Sequence, residues 1–251
     1  MSAKASLPIS IIIRTRNEAK VLDFLLGQIK DLESDNKISE YEIILVDNES
    51  SDNIKAVAKK YGAQLLTIAD KEFSYPKAWN LGLSESRGEF VVFISAHAEL
   101  KDRNFFNTAL GLLENKEVAG VFANLYAMPD APVSEKFSYW LGRMRTILKR
   151  VSIAKKDSLG LFGTTSAVAR GSLIRETGFD EEYGQGGEDS AWGTLMINRG
   201  YKILRSRDLK IYHSHRLSMI QQLKQLRLWT SLDSGQEFNR KKINEYRKKK
   251  Y

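Results

Sequence analysis

Between residues 8 and 100, short apolar β-branched runs alternate with longer stretches of helical periodicity, and that alternation leaves few folds open. The run Ile9–Ile13 is too short for a buried helix and apolar enough for a strand covered on both faces. Val21, Leu22, Leu25, Leu26 and Ile29 follow at helical spacing. A second run, Tyr41–Val46, precedes a stripe of Ile54, Val57, Ala58 and Tyr61, which Gly62 closes as a helix C-cap. Gln64–Ile68 is a third, short strand. Ala78–Ser86 has the spacing of a helix stopped near Gly88, and Phe90–Ile94 is a fourth strand. Strand and helix in strict alternation predict an α/β fold with a mostly parallel sheet flanked by helices.

In such sheets ligands bind just beyond the carboxyl ends of the strands. Those ends carry polar clusters here: Arg14-Thr15-Arg16-Asn17-Glu18, then residues 47–52 opening on Asp47, then residues 95–99. They are expected along one rim, which becomes the candidate ligand cleft.

The rhythm changes after residue 100. Phe105–Leu113 is expected to be helical and Gly120–Tyr126 a strand. Residues 135–150 form a basic, aromatic amphipathic stretch, and Met219 to Leu232 has a helical pattern. The stretch GQGGEDSAWG places two glycines before Glu188 and Asp189, which open a helix running to Arg199 and ending at Gly200. Two readings fit this pair. A carboxylate at a helix N-terminus is held ionised and can serve as a base. It can equally be a simple helix cap.

Several function classes fall away. The turn after the first strand contains no glycine, so G-x-G-x-x-G is absent, and no GxxxxGK[ST] occurs either. Nicotinamide chemistry and P-loop hydrolysis thereby lose their physical support. The absence of cysteine removes disulfides, thiolate metal sites and cysteine nucleophiles, and fits a reducing compartment. The N-terminal MSAKASLPIS has no apolar core of a secretory leader. The net charge of +8 is concentrated from Arg240 onward, where seven basic residues face one glutamate and account for six of the eight charges. A nearly neutral body with a basic tail carries no nucleic-acid motif. The tail is either a solvated end or an attraction for anionic lipid headgroups.

Asp47 also admits two readings. At a strand end it can accept from a base N–H, with Arg14 and Arg16 on the neighbouring strand end to stack on a base or pair with phosphate. Alternatively it forms an Asx-turn for the SSDN segment. The chain's three histidines are all placed at ends of apolar runs: His97 after VVFISA, and His213 and His215 after LKIY. With Glu99 they offer the N and O ligands that a divalent cation needs, if the segments meet; packing and hydrogen bonding are the alternative.

In this order the segments resemble the family 2 glycosyltransferases of GT-A fold. ISIIIRTRNEAKVL is similar to that family's opening nucleotide-binding segment, and EIILVDNESSDN to its second strand, with Asp47 at the base-recognising position. FSYPKAWNLGLSESRGEFVVFISAHAEL resembles the stretch leading to the metal motif, and TTSAVARGSLIRETGFDEEYGQGGEDSAWGTLMINRGYKI the acceptor half. The likeness covers about residues 8 to 218. It implies a GT-A domain over 1–218, divided into a nucleotide-binding half (7–100) and an acceptor-binding half (101–218), with a helical extension and basic tail over 219–251. It implies donor contacts from Arg14, Arg16, Glu18, Asp47, Lys77, Asn80, Ser95, Ala96 and His97. It also implies a general base at Asp189 with Glu188 beside it, and cation or phosphate contact at His97, His213 and His215. One departure stands out. Ser95, Ala96 and His97 occupy the place where the family usually has Asp-x-Asp, as in a rhamnosyltransferase-like subgroup. Losing two acidic ligands disfavours Mg²⁺, while imidazole suits Mn²⁺ better.

The resemblance implies inverting, non-processive transfer of a sugar, such as rhamnose, from a nucleoside-diphosphate donor. The implied acceptor is a hydroxyl of a saccharide or lipid-linked glycan in cell-surface polysaccharide synthesis. The expected setting is cytoplasmic, at the inner face of a membrane. The competing reading is a nucleotide-sugar-binding module without transfer activity.

Overall fold

A computed structural model describes residues 9–35, 38, 40–144, 150–155, 161–184 and 186–232, so the basic tail lies outside the described residues. The strands are β1 (Ile9–Thr15), β2 (Tyr41–Asp47), β3 (Gln64–Thr67), β4 (Phe90–Ser95), β5 (Glu99–Leu100), β6 (Val118–Tyr126), β7 (Val151–Ile153), β8 (Ser166–Arg170) and β9 (Lys202–Tyr212). The helices are α1 (Ala19–Ser34), α2 (Ile54–Lys60), α3 (Tyr75–Glu85), α4 (Phe105–Leu113), α5 (Val133–Met144), α6 (Gly171–Thr177), α7 (Glu188–Asn198) and α8 (Met219–Leu232). One sheet joins the strands in the order β3-β2-β1-β4-β8-β6-β9-β5, with β7 beside β9.

The alternation of side chains along each strand explains the layers. Ile11 and Ile13 of β1, Ile43 and Leu45 of β2, and Val92 and Ile94 of β4 face one side. There they meet Leu22, Leu25 and Ile29 of α1, Ile54 of α2, and Phe105 and Phe106 of α4. Ile12, Ile44, Val46, Val91 and Phe93 face the other, against Trp79 and Leu83 of α3, Ile174 of α6, and Trp192 and Met196 of α7. Burying a side chain as large as Phe93 contributes roughly 2 kcal/mol. Two covered faces are why these strands read as unbroken apolar runs.

β1 pairs with β2 and β4 in parallel, and β2 with β3. β8 then enters antiparallel between β4 and β6, while β6 and β9 are parallel. β5 and β7 also run against β9. Six strands therefore share one direction, and their carboxyl ends at Thr15, Asp47, Thr67, Ser95, Tyr126 and Tyr212 line one rim. The sheet continues across residue 100 without a break.

α3 sits close against β1, because Gly82 has no side chain to hold it away. A Cβ there would stand 2.5 Å from Cγ2 of Ile12. This close seating carries Tyr75 and Trp79, on the same helix, over the end of β1. Gly82→Val is expected to lower stability by about 1–3 kcal/mol through overpacking. Urea denaturation measures it, and an unchanged midpoint would contradict the close seating.

Candidate active site

The rim begins where the loops after β1 and β2 are laced together. Asn17 adopts a left-handed conformation (φ 55°). Its N–H donates to Ser50 Oγ at 2.7 Å, and its Oδ1 accepts from the Ser51 N–H at 2.8 Å. Asp52 Oδ2 accepts from the Ala19 N–H at 2.8 Å, capping α1 from a different loop. Asp47 is buried, and its carboxylate accepts from the Ser50 N–H at 3.1 Å and from the Ser50 hydroxyl. It thus forms the turn that the sequence allowed, while standing at the strand end expected for a base contact. Arg16 pairs with Asp70 at 2.5 Å, both side chains about half exposed, a contact worth no more than about 1 kcal/mol.

Arg14 is placed differently from Arg16. Its guanidinium lies between the rings of Tyr75 (4.4 Å) and Trp79 (4.1 Å). Nε and Nη1 are buried with no hydrogen-bond acceptor. Burial lowers its pKa, opposed first by the Glu188 carboxylate and then by Tyr75 and Asp189. Arginine nonetheless keeps its charge. The end of β1 and the start of α7 therefore meet electrostatically at this residue.

Gly186 and Gly187 (φ 133° and 93°) bring the chain into α7 through backbone conformations that side chains avoid. Glu188 follows, 4% exposed, with Oε2 buried and unpartnered. Burial, then the adjacent Asp189 carboxylate, push its carboxyl up to about 7, against the pull of Arg14. Asp189 is less enclosed. Its Oδ2 accepts from the Thr164 N–H at 3.1 Å and its Oδ1 from the Ser190 N–H at 2.7 Å. Two neighbouring carboxyls thus sit in different settings, Glu188 buried with an unpartnered oxygen and Asp189 accepting from two N–H groups.

The third element is built at the end of β4. Ser95 is the register partner of Arg14. Its N–H donates to the Thr165 carbonyl, and its carbonyl accepts from the Ala98 N–H in a tight turn. The Ala96 side chain is packed in the core, so only its backbone is available to a ligand. His97 projects into a cavity of about 410 Å³ lined by Asn17, Glu18, His97, His215 and Arg216 among others. His97 Nδ1 lies 2.6 Å from Glu18 Oε1, and its Nε2 lies 2.9 Å from His213 Nε2. His97, His213 and His215 each bring a ligand atom within 4.8 Å of the others. Burial, and then the neighbouring imidazoles, hold His213 well below its usual pKa and His215 below it as well. Neutral imidazoles are the ligating form, so this donor set fits a divalent ion of Mn²⁺ type better than Mg²⁺.

Some expected contacts differ. The carboxylate beside His97 is Glu18; Glu99 instead pairs with Tyr212 along β5, near Asp130 and Arg216. Asn80 spends its amide on another task. Its Nδ2 donates to the Phe179 carbonyl at 2.9 Å and to Glu181, and its Oδ1 accepts from the Phe179 N–H at 2.8 Å, which ties α3 to the loop after α6. Lys77 is exposed in the first turn of α3. The sequence reading missed Tyr75, Trp79 and Thr164. The i, i+4 spacing of Tyr75 and Trp79, on one helix face, was their only local signal.

A model of the family described as Glycosyl transferase family 2 matches residues 10–178. The chain is 28% identical over 180 residues to the O-antigen chain rhamnosyltransferase WbaN of Salmonella anatum, covering 69% of this chain and 56% of that protein. It is 21% identical over 213 residues to the glycosyltransferase AglE of Haloferax volcanii, covering 82% and 66%. It thus spans 56% and 66% of the lengths of these curated relatives. Among solved structures, TarS of S. aureus superposes with a TM-score of 0.64 at 17% identity, over 92% of this chain and 41% of that one. The mannosyltransferase PcManGT from Pyrobaculum calidifontis, solved with GDP-Man and Mn²⁺, gives 0.61 at 18%, over 92% and 62%. At such identities the likeness shows the shared GT-A fold.

The raised carboxyl of Glu188 has a thermodynamic signature. The folded state binds this proton more tightly than the unfolded chain does, so its contribution is complete below about pH 4.5. It is lost as pH rises through about 7. Glu188→Gln is therefore expected to gain stability relative to wild type across that interval. Paired Tm measurements from pH 4.5 to 8 test this, and a constant difference between the two proteins would refute it.

Proposed function

The chain belongs to glycosyltransferase family 2, and we propose that it transfers a single sugar, with inversion, from a nucleoside-diphosphate donor to an acceptor hydroxyl. The observation that carries this reading is the pair at the start of α7. Asp189 is partly exposed and accepts from the Thr164 and Ser190 N–H groups, beside a Glu188 that burial turns towards its neutral form. Asp189 accepts the acceptor's hydroxyl proton as the oxygen attacks the anomeric carbon, from the face opposite the leaving nucleotide.

The donor half of the reading rests on the rim. Asp47 and Arg16 stand at the strand ends for the nucleotide, with Ser95 and the Ala96 backbone beside them, and Glu18 reaches this donor site through His97. Lys77 is exposed in the first turn of α3 as a further cation for the donor. Asn80 supports this rim indirectly, through the loop it anchors. Negative charge gathering on the departing diphosphate needs a counter-charge. A divalent cation held by His97, His213 and His215 supplies Lewis-acid neutralisation there when bound. Arg14 contributes fixed positive charge at the same end of β1.

A polymer-forming member of the family would carry a Gln-x-x-Arg-Trp motif; within α8, Leu228 separates Arg227 from Trp229, which supports single-sugar transfer over polymerisation. No described helix is long and apolar enough to cross a membrane. The likeness to a rhamnosyltransferase of O-antigen chains supports a deoxyhexose such as rhamnose as the donor sugar. It also supports a saccharide or lipid-linked glycan in cell-surface polysaccharide synthesis as the acceptor. The basic residues from Arg240 onward add attraction to an anionic membrane at its cytoplasmic face.

Asp189→Asn is expected to reduce turnover by about two to four orders of magnitude, the range lost with a positioned base. Donor binding, followed by thermal shift over a panel of nucleotide sugars, should remain. Unchanged turnover would remove Asp189 as the base. Wild-type binding of donor without any transfer would favour a binding module. Deleting residues 240–251 should abolish sedimentation with anionic liposomes, and retained binding would count against the tail as an anchor.

A further inference from the structure

One helix holds the histidine cluster from behind, and it does so with its polar residues. α5 presents Glu135 and Tyr139, one turn apart, to the segment that follows β9. The Tyr139 hydroxyl lies 3.0 Å from His213 Nδ1, and Glu135 Oε1 accepts from the His215 backbone N–H at 2.9 Å. Glu135 is buried, and its Oε2 has no partner. On the same helix Phe137, Trp140, Leu141 and Met144 are exposed. An amphipathic helix ordinarily turns its apolar side inward. This one turns a carboxylate and a phenol inward, where burying polar groups is costly unless they are engaged.

The opposite side of the cluster is matched. Glu18 lies against His97 Nδ1, and a carboxylate only accepts, so that nitrogen carries the proton and His97 turns Nε2 towards His213. The two Nε2 atoms face each other at 2.9 Å, a separation that requires a proton or a cation between them. A metal-bound imidazole characteristically gives its remote N–H to an oxygen, which fixes both tautomer and ring orientation. Glu18 occupies that place for His97 and Tyr139 occupies it for His213.

We propose that Tyr139 is a positioning residue for a divalent cation bound by His97, His213 and His215, with Glu135 fixing the backbone that presents His215. The proposal rests on reading the three histidines as a cation site. Tyr139 accepts the Nδ1–H of His213 and keeps its Nε2 directed at the ion, so α5 becomes the outer support of the centre.

Mn²⁺ titration of the full chain by calorimetry tests this, with the visible absorption of the Co²⁺-loaded protein as a readout of ligand geometry. Wild type should take up Mn²⁺. Tyr139→Phe, which keeps the ring, should weaken that affinity by about 10–100-fold and shift the Co²⁺ bands. Ser138→Ala, at the exposed neighbouring position, should change neither. The bands are recorded on loaded protein, so they report His213 ligation even where the substitution costs stability. Affinity within about twofold of wild type together with unmoved bands overturns the role of Tyr139 and leaves the cation site standing. Wild-type protein that binds neither ion overturns both.

Discussion

A charge that cannot be discharged sits at the end of a core strand, and much of the cleft is arranged round it. Arg14 leaves β1 where the sheet is still covered on both sides, and its guanidinium has no hydrogen-bond acceptor for two of its buried nitrogens. Two aromatic faces and two nearby carboxylates make that burial tolerable. Each comes from a different place: the rings from α3, the carboxylates from α7, far along the chain. The seating of α3 through Gly82 and the entry to α7 through Gly186 and Gly187 serve the same point. Without them the cation would lack its enclosure and Glu188 its opposing charge.

β1, β2 and β4 were legible in the sequence because each is covered on both faces, so burial prints itself as an apolar run. The boundaries expected for β1, β2 and β4 fall within a residue or two of those found, and Phe105–Leu113 is a helix as the periodicity required. β5, β7 and β8 were not foreseen. They are short, and their strand character comes from neighbours supplied by distant parts of the chain; SAVAR becomes β8 by fitting between β4 and β6. The site shows the same division. His97, His213 and His215 were visible as strand-end residues, whereas their convergence depends on β9 pairing with β6 and β5. Asn80 illustrates the limit: its partner Phe179 is 99 residues away, and no local pattern announces such a contact.

On the proposed reading, the cation site is gathered from several parts of the chain. An acidic motif concentrates its oxygens in one turn of chain. Here one imidazole comes from the end of β4 and two from the end of β9, with a carboxylate from the loop after β1 and a phenol from α5 standing behind them. On that reading, imidazoles in place of carboxylates would carry less formal charge, and the choice of ion would rest on donor type and geometry.

That dispersal has a consequence for how the protein comes into being on the ribosome. β1 to β4 and the helices between them leave the ribosome first, but the α4, α6 and α7 side chains that cover this part of the sheet follow later. His97 then waits at a strand end with only Glu18 for company. The imidazoles meet only after residue 215 has emerged and β9 has closed the far side of the sheet. Assembly of the trio is therefore a report of completed synthesis: a chain cut short before residue 213 cannot form it, whatever else it has folded.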